Sequence, residues 1–384
     1  MIPYGRQHIS NGDIQAVTNV LGSDFLTQGP IVPQFERSIA SYCGADYAVA
    51  TNSATSALHL SCLALNLGPG DTLWTSPNSF VASANCAVYC GAEVNFVDID
   101  SSTYNLCARK LEKKLKASEK TGDLPKVIVV VHFAGQSCEM KKIAELGEKY
   151  RFRIIEDASH AIGAEYARSK VGSCRYSDIT VFSFHPVKII TTAEGGLATT
   201  NDPELASRMS RMRSHGITRD QSEMVNKSDG PWYYEQIELG LNYRMTDLHA
   251  ALGLSQLTRL DEFVLKRHQI ADRYDSELGN SRIKLPVRAN SGRSALHLYP
   301  IQVSCDRKKV FCKLRDAGIG VNVHYIPIHL QPFYQKRGFT RGDFPIAENY
   351  YDNAISLPMF SSLEFNDQEF VIKTLKSLIE DSVN

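Results

Sequence analysis

The chain alternates short runs of consecutive apolar residues with longer stretches whose apolar positions recur every three or four residues. The runs are Tyr47–Thr51, Thr72–Ser76, Val94–Asp98, Lys126–His132, Phe152–Glu156 and Asp178–Phe184. Between them, Ser56–Asn66, Val81–Tyr89, Ala108–Ala117 and Met140–Tyr150 carry helical spacing. Strands alternating with helices predict a mostly parallel sheet with helices on both faces. The unbroken Val-Ile-Val-Val-Val of residues 127–131 fits a strand covered on both sides. Two short helices, Asp13–Leu21 and Gln34–Tyr42, come first, joined by a loop around Leu26-Thr27-Gln28-Gly29-Pro30. Further on, Thr246 to about Leu278 reads as one long helix. A strand (Leu296–Val303), a helix (Arg307–Ala317), a strand (Val321–Tyr325) and a last helix (Asp367–Asp381) follow. The expected organisation is a large α/β domain with its N-terminal segment over 1–245, a connecting helix over 246–280 and a small α+β domain over 281–384.

At 384 residues two domains are the natural expectation, and 43% hydrophobic with 22% charged residues is ordinary for a globular protein. The 42 basic and 42 acidic residues balance to zero, which argues against a nucleic-acid partner but not against a small anionic ligand. The nine cysteines are scattered, without a CxxC pair or nearby histidines, so no metal site is expected. No apolar run is long enough to span a bilayer, and the first residues lack the form of a signal peptide; the expected location is the cytoplasm.

Candidate chemistry clusters at the C-terminal ends of the strands, the edge at which open α/β sheets bind ligands. Neither a P-loop nor a GxGxxG fingerprint is present. Instead, the strand Tyr47–Thr51 runs into Asn52-Ser53-Ala54-Thr55-Ser56 at the start of a helix. Exposed backbone N–H groups and the positive end of a helix dipole suit a phosphate there, although Ser53 or Thr55 could simply cap the helix. Asp157 closes another strand and needs a cationic partner once desolvated: a protonated pyridine nitrogen or a structural ion pair. His160 could meet a phenolic oxygen on the same ring or be structural, and Phe80 could stack on that ring or pack in a core. Ser183 leads through His185 to Lys188, followed by the small-residue loop Thr191-Thr192-Ala193-Glu194-Gly195-Gly196. A lysine in a restricted pocket loses basicity and becomes nucleophilic. A Schiff-base lysine, an acid for the pyridine nitrogen and a phosphate cradle are the combination a pyridoxal enzyme needs.

On these motifs the chain resembles the DegT/DnrJ/EryC1/StrS family of sugar aminotransferases, within the fold-type I pyridoxal enzymes. The likeness spans essentially the whole sequence. It rests further on Leu26–Gly29, Arg213-Ser-His-Gly216, Asn242-Tyr-Arg-Met-Thr246, His297-Leu-Tyr-Pro-Ile301 and His324-Tyr-Ile-Pro-Ile-His329. The resemblance implies a pyridoxal 5′-phosphate (PLP) cofactor on Lys188, with Asp157 on the ring nitrogen and His160 (glutamine in many relatives) on the ring hydroxyl. It places Phe80 on the ring face, and Ser53, Ala54, Thr55 and Ser183 around the phosphate. Asn242 would reach the phosphate of a second subunit, giving a homodimer with shared sites. Thr27, Gln28, Gly29, Tyr325 and His329 would line a sugar-nucleotide site. The branch it most resembles aminates carbon 4 of a UDP-linked 4-keto-6-deoxy-N-acetylhexosamine, with L-glutamate as donor and 2-oxoglutarate as product. Other nucleotide keto-sugars, aminated at carbon 3 or 4, and a catalytically silent regulator are the alternatives. Retention of Lys188, which one dehydrating branch replaces by histidine, argues for transamination.

Overall fold

A computed structural model of the chain describes residues 1–279 and 282–381. Seven strands form the central sheet: β1 (Tyr47–Thr51), β2 (Thr72–Thr75), β3 (Glu93–Phe96), β4 (Val127–Val131), β5 (Arg153–Asp157), β6 (Ile179–Ser183) and β7 (Gly196–Thr200). Their order is β1-β7-β6-β5-β4-β2-β3, parallel throughout except for β7, which runs against both its neighbours. With one strand reversed, the other six all end at the same edge, and that edge carries the candidate residues.

The connections run through α3 (Ala54–Ala64), α4 (Ala82–Tyr89), α5 (Ala108–Thr121) and α6 (Met140–Tyr150), preceded by α1 (Asn11–Leu21) and α2 (Ile31–Cys43), and followed by α7 (Pro203–Met212). Strand β4 shows why a continuous apolar run is required. Val127, Val129 and Val131 pack among residues of α3 and α4, while Ile128 and Val130 pack against α5 and α6. Alternate side chains of a strand point to opposite faces, so a strand covered twice must be apolar at every position.

The Thr246–Leu278 pattern is two helices rather than one, α8 (Asp247–Leu257) and α9 (Leu260–Leu278). The Arg259 backbone between them leaves the helical region (φ −113, ψ 5), and its guanidinium pairs with Asp13, which closes a capping box on Ser10 at the head of α1. A buried carboxylate that attracts the arginine outweighs one more turn of regular helix. A second core lies under a three-stranded sheet of β8 (Ile283–Lys284), β9 (Tyr299–Val303) and β10 (Ala354–Leu357). Helices α9, α10 (Arg307–Asp316) and, past α11 (Pro332–Gln335) and α12 (Pro345–Asn353), α13 (Phe365–Glu380) cover it. The expected strand Val321–Tyr325 is absent: only Asn322 makes a bridge, to Ser356. Asn322 Oδ1 accepts from the Val323 N–H (2.8 Å) and His324 Nδ1 meets Ser356 Oγ (2.8 Å), so side chains take the place of a ladder. The expected boundary at 280/281 lies outside the described residues. Among those described, no helix is long and apolar enough to cross a membrane.

Gly196, the first residue of β7, ties the sheet to the start of α3. A Cβ built there would lie 2.3 Å from Ala54 N and 2.4 Å from Ser53 C, both backbone atoms. Gly196→Ala should therefore cost about 1–3 kcal/mol or more by forcing α3 from its place. Gly22→Ala, whose Cβ would come no nearer than 3.7 Å to any atom, should stay within about 0.5 kcal/mol of the parent. Urea unfolding of the two variants checks the contrast.

Candidate active site

The strand ends enclose a cavity of about 460 Å³. Nine of the residues singled out from the sequence line it: Ser53, Ala54, Thr55, Phe80, Asp157, His160, Ser183, Lys188 and Tyr325. At one side Ser53 caps α3, its Oγ accepting from the Ser56 N–H at 3.2 Å. Helix geometry leaves the N–H groups of Ala54 and Thr55 without intrahelical acceptors, beside the buried Ser183 that ends β6. Together they make a nest for an anionic group.

Asp157, at the end of β5, is only 5% exposed. Its Oδ1 accepts from the Ser159 N–H (3.1 Å) and hydroxyl (2.6 Å), and its Oδ2 from the Ser83 hydroxyl (2.7 Å). All three donors are neutral. They compensate part of the desolvation of an ionised carboxylate and leave acceptor capacity for a cationic N–H.

Lys188 stands half-buried five residues beyond β6, its N–H donating to the His185 carbonyl at 2.9 Å. Burial lowers its amine to about 8, against the pull of the Asp157 carboxylate. Opposite lies a wall of rings. His160 Nδ1 accepts from the Ala134 N–H (3.3 Å), which assigns the ring proton to Nε2, 3.0 Å from the Tyr325 hydroxyl. Burial, then the Lys188 charge, then His324 hold His160 well below the usual imidazole range. His297, its ring 4.5 Å from that of His160, is lowered by burial and by the same neighbours; its Nδ1 is buried without a hydrogen-bond partner. His324 falls to about 3 through burial and Lys188. Burial raises the Tyr325 phenol, keeping it protonated. The wall is thus neutral at physiological pH, and Lys188 faces it as the titrating amine.

Several expectations are not met within this chain's cavity. His329 is corrected: it is fully buried, its Nε2 2.9 Å from Glu348 and its ring 4.8 Å from that of Phe344, so it staples the turn Ile328–Leu330 instead of facing a ligand. Thr27, Gln28 and Gly29 lie elsewhere. Thr27 bridges Thr246, and the Gly29 N–H donates to Asp247 at 2.7 Å. Asn242 is exposed and bridges Ser214, outside its own cavity. Sequence reasoning missed Tyr4, Ser83, Ser159, Asn322 and His324 as members of the site. His297 and His324 stood in quoted motifs without a role, and Ser159 adjoins the Asp157 turn. Ser83 is 74 residues from its partner and carries no local signal.

The chain matches the DegT/DnrJ/EryC1/StrS aminotransferase family over residues 7–376. It is 40% identical to the UDP-4-amino-4,6-dideoxy-N-acetyl-beta-L-altrosamine transaminase of Campylobacter jejuni, covering 99% of this chain and 98% of that one. Among solved structures it is similar to Helicobacter pylori PseC, an aminotransferase involved in pseudaminic acid biosynthesis (TM-score 0.91, 32% identity, 99% of both chains). It is also similar to Spr1654 of Streptococcus pneumoniae in its pyridoxamine-phosphate form (TM-score 0.91, 31% identity, 100% of both chains), which is also solved in its PLP form. The chain belongs to the DegT/DnrJ/EryC1/StrS family and is, with it, a PLP-dependent sugar aminotransferase.

Proposed function

We propose that the enzyme moves an amino group from L-glutamate to carbon 4 of a UDP-linked 4-keto-6-deoxy-N-acetylhexosamine, in a cytoplasmic homodimer with shared active sites. The observation that carries the chemistry is one cavity holding an amine of lowered basicity, Lys188, together with a carboxylate bound only by neutral donors, Asp157. The likeness to the Campylobacter transaminase supports the choice of acceptor.

The residues fit PLP. Its ring nitrogen would meet Asp157, its phosphate the nest of Ser53–Thr55 with Ser183, and its aldehyde carbon Lys188. When bound, PLP supplies an electron sink for charge leaving a substrate carbon. Asp157, with acceptor capacity left over from its neutral donors, would accept the N–H of the ring nitrogen. Phe80, its ring 6.4 Å from that of Tyr325 and largely exposed, can cover the cofactor's face. His160, with its proton on Nε2, can donate to a ring oxygen. Lys188, as a neutral amine, would take a proton from the amino-acid α-carbon and deliver it to the cofactor carbon that had carried the aldehyde; with the keto-sugar bound, it would move a proton in the opposite sense, from that carbon to carbon 4 of the sugar. Tyr325, half-buried, and His324, buried, are both neutral and offer hydrogen bonds to a sugar without a charge that would compete with Lys188.

The shared site is supported by what Asn242 does not do. It is exposed and does not line its own cavity, on a segment whose flank carries Trp232 at 71% and Leu239 at 86% exposure. Apolar side chains so exposed mark a contact surface. An uncharged amide can donate to a neighbour's phosphate without adding a buried charge.

Three outcomes follow. A lowered amine is neutral above its pKa, so about one Lys188 in ten is free at pH 7, against roughly one in a few thousand for an ordinary lysine. The rate at which cofactor-free protein captures PLP should rise with pH to a midpoint near 8; a rise continuing past 10 would show an unperturbed lysine. With glutamate, the enzyme should convert the UDP-linked 4-keto-6-deoxy-N-acetylhexosamine to its 4-amino derivative, seen by mass spectrometry. Preference for another nucleotide keto-sugar in the same panel would move the assignment to that sugar. Finally, Lys188→Ala and Asn242→Asp chains, each poorly active, should recover up to about a quarter of full activity when mixed and allowed to exchange. Half the dimers are then mixed, each with one intact site. No recovery despite proven exchange would place Asn242 in its own subunit's site.

A further inference from the structure

Of the three donors on Asp157, two come from Ser159, a local turn that costs the fold nothing beyond one serine. The third comes from Ser83, on α4, in a different crossover of the sheet. Ser83 is wholly buried, and its oxygen lies 2.7 Å from that of Ser79, which is 3% exposed. Chemistry fixes the direction of this pair. An ionised carboxylate only accepts, so the single Ser83 proton goes to Asp157 Oδ2, and Ser79 must be the donor to Ser83. A helical serine ordinarily turns its hydroxyl back to the carbonyl four residues earlier; Ser83 gives its proton across the sheet edge instead. Ser79, Phe80 and Ser83 also belong to one continuous turn, so the hydroxyl relay fixes the loop that carries Phe80 against the end of β5.

We propose that Ser83 is a positioning residue of the active site, holding the Asp157 carboxylate oriented and in register with the Phe80 loop for the cofactor's ring nitrogen. The proposal rests on the reading of Asp157 given above and adds the group through which that residue is set. Without the Ser83 donor the carboxylate loses the contact that fixes its Oδ2. Its charge would then be less well aimed at the ring nitrogen, and the ring would lose electron-withdrawing power.

The test is a pH titration of the bound cofactor's visible absorption band, with cofactor affinity measured by equilibrium dialysis, on four variants. Ser83→Ala should move the titration midpoint upwards by about one pH unit and weaken cofactor binding about tenfold. It should lower kcat while leaving KM for the keto-sugar unchanged. Ser83→Cys, close in volume but a weak donor, should behave in the same way, and covers the case in which the alanine variant fails to fold. Ser83→Thr, which keeps the hydroxyl, should restore the parent midpoint. Asp157→Asn is the reference. If it shifts the band while Ser83→Ala and Ser83→Cys do not, the proposal is overturned and the reading of Asp157 stands. If Ser83→Thr behaves like the alanine variant, Ser83 is a packing residue and the proposal is again overturned. If Asp157→Asn leaves the band untouched, the reading beneath the proposal fails with it.

Discussion

Keeping a carboxylate at the covered end of a parallel strand sets the terms for the rest of this molecule. Asp157 is almost wholly removed from solvent and cannot be paired within its own strand, so its donors come from the turn that follows it and from a helix that another crossover brings to the edge. Ser159 arrives from the turn after β5 and Ser83 from the helix after β2. The order of the sheet makes this possible. Strand β5 lies at its centre, with β4 and β2 to one side and β6 and β7 to the other, so segments from both halves reach the same spot. Reversal of β7 alone brings the Gly195-Gly196 turn to that edge as well, against the first residues of α3.

The neighbouring residue shows what makes Asp157 different. Glu156 is one position earlier on the same strand and points to the opposite face. There His132 Nε2 approaches its Oε2 at 2.5 Å, while the Ser177 hydroxyl at 2.5 Å and the Thr180 hydroxyl at 3.2 Å donate to its Oε1. Burial raises the Glu156 carboxyl, but these partners together hold it below the usual range. Its charge is answered inside the fold, and no room is left for a ligand. Asp157 receives only neutral hydroxyl and amide donors and opens on a cavity. Two adjacent carboxylates, both buried, are thus divided between structure and chemistry by their partners alone.

Much of this was legible in the sequence. The six runs that read as strands are strands, because doubly covered strands need continuous apolar residues and the turns between them carry glycine, proline and serine. The cofactor side of the site could be read because each of its residues within this chain's cavity ends a strand or lies within five residues of a strand's end. Legibility failed where partners are distant in sequence. Ser83 looks like any small residue of an alanine-rich helix. His329 and Tyr325 lie four residues apart in one motif, yet Tyr325 meets His160 while His329 turns inwards to Glu348. The pattern of 246–278 keeps its helical period across Arg259, so the break is visible only once Asp13 is in place. Strand β7, which ends in two threonines, Thr199 and Thr200, lacks the apolar content of its neighbours. Its threonines bond to Gly172 and Asp178 carbonyls beneath the sheet.

The same distances explain the electrostatic character of the site. Three imidazoles and a phenol in one wall would be a hazard if any could ionise, since each lies close enough to Lys188 or Asp157 to shift them. Burial removes that freedom. His160, His297 and His324 are pushed down and Tyr325 is pushed up, so none exchanges a proton near neutral pH. Lys188 is the exception because Asp157 opposes its desolvation. Its basicity settles at about 8, low enough to supply a neutral amine and high enough to accept a proton from carbon. A lysine without Asp157 beside it would lose the second property, and one without the apolar and aromatic surround would lose the first. The ring wall therefore acts on the reaction by staying neutral: it leaves the lysine as the group whose protonation can change while substrate is bound.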